Sequence, residues 1–180
     1  MLADRILSEE SPTTWMYLDT ADPPVVTCGI GHALFILEDC LALPWNQPKA
    51  VVERDYQTIA GKPPGYRAEW YEQFTTARLT GIFVRELLEQ DIARHVSILR
   101  GQFPRFKDYP PEAQEALADM AFNLGGNFPK TWPLFSRAVR NEDWEMAAAC
   151  CHRKDISDQR NQDTSALFLA ASERELPPAA

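Results

Sequence analysis

The sequence has no apolar run long enough to cross a membrane as a helix. Its opening residues, Met1-Leu2-Ala3-Asp4-Arg5, have neither the basic start nor the apolar stretch of a signal peptide. The chain is therefore expected to be made in the cytoplasm and not to export itself by that route. Positive charge is scarce: 18 Lys and Arg against 26 Asp and Glu give a net charge of −8. This balance argues against nucleic acid as a partner and against adhesion to acidic polymers through bulk electrostatics. Cysteine is scarce as well. Cys28, Cys40, Cys150 and Cys151 form neither a C-x-x-C pair set nor a small-domain disulfide framework. Cys150-Cys151-His152 has the look of a metal fragment, yet Trp144, Ala147, Ala148 and Cys151 fall on one helical stripe, which reads as packing, so no metal and no cofactor are expected. Cys28 and Cys40 are left as a pair that an oxidising compartment would allow. Internal repeats and low-complexity tracts are missing.

What the chain does have is core-forming material: 180 residues, 45% hydrophobic and 11% aromatic, enough for one domain, monomeric, with room for two lobes. Its chemistry is concentrated between Ser8 and His32. Ala3, Ile6 and Leu7 recur at three- and four-residue steps, and Glu10 closes that short helical pattern. Pro12 stops the helix. Two β-prone runs, Trp15 to Leu18 and Val25 to Cys28, flank Asp19-Thr20-Ala21-Asp22-Pro23-Pro24, which predicts a hairpin with Asp19 at its mouth. Carboxylates on two different elements suit a reaction that needs a proton donor on one side of a bond and a base or nucleophile on the other, with Thr27 holding a water between them. The plain alternative is a frayed helix end at Glu10 and an ordinary turn-former at Asp19.

Further along, Ala33 to Leu37 continues an apolar run, and Pro44 and Pro48 mark a loop. A helix is predicted over 50–60, ended by Gly61. Lys62-Pro63-Pro64-Gly65-Tyr66 is a break and a candidate boundary after a small N-terminal lobe. Residues 67–78 are aromatic-rich and undecided, with one more helix as an option. Thr80 is a good N-cap for a long helix to Arg100, whose apolar face is interrupted by Asp91. A carboxylate there needs a partner, and His32 and His95 are the candidates. Glu112 to Leu124, opened by Pro110-Pro111, keeps the three-four rhythm on many alanines and is predicted to be central. Trp132 to Val139, Asp143 to His152, and Thr164 to Ser172 after Arg160 give three shorter helices, with a frayed tail from Leu176.

Tyr17-Leu18-Asp19 followed by Thr27-Cys28-Gly29-Ile30-Gly31-His32 resembles the phage-type lysozymes, glycoside hydrolase family 24, in which an acid ending the first helix precedes a Y-x-D turn and a T-x-G-x-G-H strand. Leu79-Thr80 leading to Gln90-Asp91-Ile92, Met120 to Gly125, Trp144 with Ala147-Ala148, and Arg160 ahead of Phe168 resemble later family segments, so the likeness runs through nearly the whole chain. It departs from the family at Asp22-Pro23-Pro24, which lengthens the step from Asp19 to Thr27, and in the loops 41–48 and 62–78.

The resemblance implies an α+β, mostly helical, lysozyme-like two-lobe fold. A small β-hairpin lobe over 11–79 would be joined by an interlobe helix over 80–100 to a helical lobe over 101–175 that also takes the N-terminal helix, with a glycan cleft between the lobes. It implies a muramidase that cleaves the β-1,4 bond between N-acetylmuramic acid and N-acetylglucosamine in peptidoglycan with inversion. Glu10 would be the general acid, Asp19 would steer water or balance charge at the sugar ring, and Thr27 would position that water. Ala33, Phe122 and Thr131 match family substrate contacts, although Phe122 reads equally as a core aromatic. Arg160 would pair with Glu10, and His32 would support the fold through Asp91 rather than catalyse. Alternatives are a non-catalytic peptidoglycan- or partner-binding domain of the same fold, and cleavage by transglycosylation or of chitin. Without a leader, the enzyme would reach the periplasm or wall of a target cell through a pore, a secretion system or a fusion. The acidic charge leans towards an antibacterial effector paired with an immunity protein.

Overall fold

The computed structural model describes residues 2–154 and 156–174, and the Leu176 to Ala180 tail lies outside them. Among the described residues the chain is mostly helical, with one three-stranded antiparallel sheet. It divides into two compact units, Ala3–Gln90 and Asp91–Ala180. No helix among the described residues is long and apolar enough to cross a membrane.

The first unit opens with α1 (Leu2–Glu9), whose last turn is closed by the Glu10 N–H donating to the Ile6 carbonyl at 2.9 Å. Pro12 ends the helical run, and β1 (Thr13–Leu18), β2 (Val26–Gly29) and β3 (His32–Ala33) follow in sheet order. The expected hairpin is thus one half of a three-stranded sheet. The apolar run after His32 is not a single strand: β3 holds two residues, and the chain turns into α2 (Leu37–Ala42). Between β2 and β3 the Gly-x-Gly spacing is required by the backbone, since Gly29 and Gly31 sit at φ 63° and 71°, where a Cβ is disfavoured.

Helix α3 (Lys49–Ala60) and α4 (Ala68–Tyr71), continued by a 3₁₀ turn at Glu72–Phe74, pack beside the sheet. The undecided stretch therefore holds one short helix and then an extended segment, and the Lys62–Tyr66 break does not end this unit. Asp55 on α3, 1% exposed, holds that segment. Its Oδ2 accepts from the Thr76 N–H (2.6 Å), the Ala77 N–H (3.0 Å) and the Thr75 and Thr76 hydroxyls, while Oδ1 takes Arg54 Nη2 at 2.8 Å. Burial pushes the Asp55 carboxyl up, but these donors outweigh it and hold it below the ordinary value of 3.8.

The long helix α5 (Gly81–Gln102) starts as expected, with Thr80 Oγ1 accepting from the Phe83 N–H at 3.2 Å. Its buried Asp91 is paired to Arg94, one turn along the same helix. His95 stands close enough to feel Asp91, although burial is the stronger effect and pulls the imidazole pKa down.

In the second unit, α6 (Pro111–Leu124) is buried along much of its length through Ala113, Ala116, Leu117, Met120 and Ala121. Around it stand α7 (Pro133–Arg140), α8 (Trp144–Cys150) and α9 (Asp158–Ser172). Their aromatic core is in edge and stacked contact, Phe135 to Phe168 at 5.6 Å and Trp144 to Phe168 at 6.3 Å between centroids. Each such side chain contributes roughly 1.5–3 kcal/mol by leaving water. The Trp144, Ala147, Ala148 and Cys151 stripe is buried here, which is the packing role expected of it. None of the four cysteines forms a disulfide, so Cys28 and Cys40 are not joined; the Cys40 thiol lies 3.7 Å from Met16 Sδ.

Helix α9 begins at Asp158, capped by Ser157, six residues earlier than the apolar pattern suggested, so Arg160 lies inside it rather than before it. The reason is a buried polar cluster that masks the periodicity. Asp119 of α6, fully buried, takes Arg160 Nη2 (2.9 Å) and Nε (3.1 Å) on Oδ1, and Arg153 Nη2 (2.8 Å) and the Thr164 hydroxyl (2.9 Å) on Oδ2. The Asn161 side chain accepts from the Arg153 N–H at 2.9 Å and donates to its carbonyl at 2.8 Å.

Two outcomes test these buried acids. Asp119→Ala strands guanidinium groups in the core and should cost about 3–5 kcal/mol in urea unfolding. Asp55 is depressed when folded, so its contribution is present above 3.8 and lost as pH falls through the lower folded value. Asp55→Asn should be less stable than the parent near neutral pH and show a flatter loss of melting temperature on acidification.

Candidate active site

Strand register puts Asp19 and Thr27 on one face of the sheet. Tyr17 pairs with Thr27 and Leu18 with Val26, while Thr27 pairs on its other side with Ala33. Paired residues share a face and neighbours along a strand alternate, so Tyr17, Thr27 and Ala33 form a row across the sheet. Asp19 continues the ladder, its N–H donating to the Val25 carbonyl at 3.1 Å, and so falls on the same face two residues beyond Tyr17. His32 pairs with Cys28 and belongs to the opposite face.

Asp19 organises the lengthened turn that follows it. Its Oδ1 accepts from the Val25 N–H at 2.8 Å and the Ala21 N–H at 3.2 Å, closing the loop across the extra residues. Both bonds fall on one oxygen. Oδ2 makes no hydrogen bond among the described residues and is available to water or a ligand.

Thr27 is 1% exposed, in the middle strand, and its hydroxyl donates to the Val25 carbonyl at 3.0 Å. With its proton committed to the backbone, the oxygen is left as an acceptor, the role a water-holding hydroxyl requires.

Glu10, exposed, follows the last residue of α1. The Tyr17 phenol is pushed up to about 12, chiefly by burial, with smaller contributions from the charges of Cys28, Asp19 and Glu10. The Gly31 N–H donates to the Tyr17 hydroxyl at 3.3 Å, while the phenol's own proton has no acceptor among the described residues. Tyr17 entered the sequence reading only as part of a Y-x-D motif. The two-residue step from Tyr17 to Asp19 was the signal that both share a face.

Ala33 is half-buried at the end of the Tyr17–Thr27 row. Phe122 and Thr131 belong to the second unit: Phe122 is half-buried edge-on to His95 at 6.2 Å between centroids, and exposed Thr131 gives its hydroxyl proton to the Phe128 carbonyl at 3.0 Å. Arg160 is held in the Asp119 cluster.

No family model matches this chain, and no curated protein is significantly similar to it in sequence.

The effect of the two acids on Tyr17 has a direct readout. Tyr17 should titrate at about 12, followed through the Cζ resonance of labelled tyrosine. Glu10→Gln and Asp19→Asn should each lower that value, because each removes a negative charge that opposes the phenolate. A phenol indifferent to both changes would separate the two acids.

Proposed function

We propose that the first unit carries the acid–base site of a glycoside hydrolase, a muramidase acting on peptidoglycan strands at the bond between N-acetylmuramic acid and N-acetylglucosamine. The observation that carries this reading is the sheet row on which Asp19 and Thr27 fall together, Asp19 holding its turn through one oxygen and Thr27 giving its hydroxyl proton to the backbone. The likeness of the Glu10, Tyr17-x-Asp19 and Thr27-x-Gly-x-Gly-His32 order to phage-type lysozymes supports the choice of substrate.

In this reading Glu10 gives a proton to the glycosidic oxygen as the bond breaks. Asp19 Oδ2 takes a proton from water, and Thr27 Oγ1 accepts that water's second hydrogen, which aims its lone pair at the anomeric carbon. Placing a water between carboxylate and sugar is the arrangement that inverts the anomeric centre. Oδ1 of Asp19 stays on the Val25 and Ala21 amides throughout, so the base is held in place without using the oxygen that does the chemistry.

The test is digestion of purified peptidoglycan with mass analysis of the fragments. A hydrolase leaves reducing ends, whereas a transglycosylase leaves anhydro ends and would overturn the water-activating role of Asp19. General acid catalysis contributes about 10²–10⁴-fold, so Glu10→Gln should lose turnover on that order while keeping its melting temperature. Asp19→Asn should likewise lose turnover with the fold kept, since the amide oxygen still serves the two backbone N–H groups. Near-normal turnover by folded Glu10→Gln would remove the assigned acid, and a domain that binds peptidoglycan without cleaving it would replace the enzyme.

A further inference from the structure

The second unit contains a cavity of about 460 Å³ that shares no residue with the candidate active site. It is formed where the 3₁₀ turn Phe106–Asp108 runs into Tyr109, where the 142–145 run opens α8, and where α9 gives way to Arg174. Two deeply buried aromatic residues line it. Tyr109 is 4% exposed and Trp144 5%, and their rings meet edge to face at 5.0 Å. Neither the Tyr109 hydroxyl nor the Trp144 indole N–H has a hydrogen-bond partner among the described residues. Neither atom is sealed in the core, so both are open to a ligand or water in the cavity.

The rest of the lining fixes the sign of charge. Glu142 is neutralised by Arg105 at 2.6 Å, and Arg174, the basic residue of the lining, is engaged by Glu112 at 2.8 Å. Asp143 uses Oδ1 to cap α8 through the Met146 N–H at 3.0 Å. Asp108, Glu145 and Asp143 Oδ2 remain without a cationic partner among the described residues, so the cavity carries uncompensated negative charge. A carboxylate wall needs donors and favours a cation, whereas an indole N–H can only donate and needs an acceptor oxygen. A simple ammonium answers the first demand and not the second. A neutral sugar answers the second and leaves the charge uncompensated.

We propose that this cavity binds a protonated amine carrying neighbouring hydroxyl groups, the chemistry of an amino sugar with a free ammonium. The ammonium lies against Asp108, Asp143 and Glu145, and a hydroxyl oxygen accepts from the Trp144 indole while the Tyr109 hydroxyl bonds to another. Burial holds the Tyr109 phenol in its protonated form, with the Glu142 charge adding to the effect, so it serves as both donor and acceptor. The inference is independent of glycan cleavage and stands or falls without it.

The experiment follows the assigned Trp144 indole N–H in ¹H–¹⁵N spectra of the whole chain at about pH 6, below the ordinary range of such amines. Glucosamine is expected to shift it saturably with a Kd on the order of 1 mM. Glucose, N-acetylglucosamine and ethylammonium are each expected to bind at least about tenfold more weakly, since each lacks one half of the recognised chemistry. An Asp108→Asn, Glu145→Gln double variant, with both changes at exposed carboxylates, should keep its melting temperature and lose glucosamine affinity by a similar factor. The proposal is overturned by an absent or unsaturable glucosamine shift, by N-acetylglucosamine or ethylammonium binding equally well, or by a folded double variant with unchanged affinity.

Discussion

A carboxylate can leave water only where donors replace the water it gives up, and this constraint shapes the irregular parts of the chain. Asp55, Asp119 and Asp19 each hold a segment that has little regular hydrogen bonding of its own. Asp55 gathers the extended residues 75–77 onto α3. Asp119 gathers Arg153, which lies between α8 and α9, together with the first turns of α9. Asp19 spans its own turn. Apolar burial supplies most of the stabilisation, but it is non-directional, and these three acids decide where the connecting backbone lies.

The same three residues show how structural and chemical acids differ. Asp55 and Asp119 are satisfied on both oxygens, and each is almost wholly buried. Such groups have no lone pair to offer a substrate. Asp19 is half-buried and satisfied on one oxygen alone, with the other facing a surface that also carries Tyr17 and Thr27. Fixed placement and chemical availability are thus divided between the two oxygens of one side chain.

Regular elements were legible where local pattern and tertiary context agree. The α6 rhythm, the Thr80 cap, the Asp143 start of α8 and the Gly-x-Gly turn all express local chemistry that the fold keeps. Elements were lost where tertiary pairing overrides pattern. The first turns of α9 carry Arg160, Asn161 and Thr164 on its buried side, and a polar buried face looks exposed to any reading based on hydrophobic period. Arg94, one helical turn from Asp91, is a partner that the sequence reading did not name. Strand β3 is only two residues long, below what periodicity can register. The site acids were visible as residues, but the row that Asp19 shares with Tyr17 and Thr27 depends on register, which a one-residue slip would have reversed.

The double use of Asp19 limits how this sequence can drift. Because Oδ1 accepts two backbone amides across the turn, most replacements at this position would disturb the loop as well as the chemistry, and asparagine is the residue that keeps the acceptor while giving up the charge. A descendant lineage that keeps this turn would therefore be expected to vary at position 19 only between aspartate and asparagine, so that the backbone requirement alone would leave its mark there whatever became of the charge.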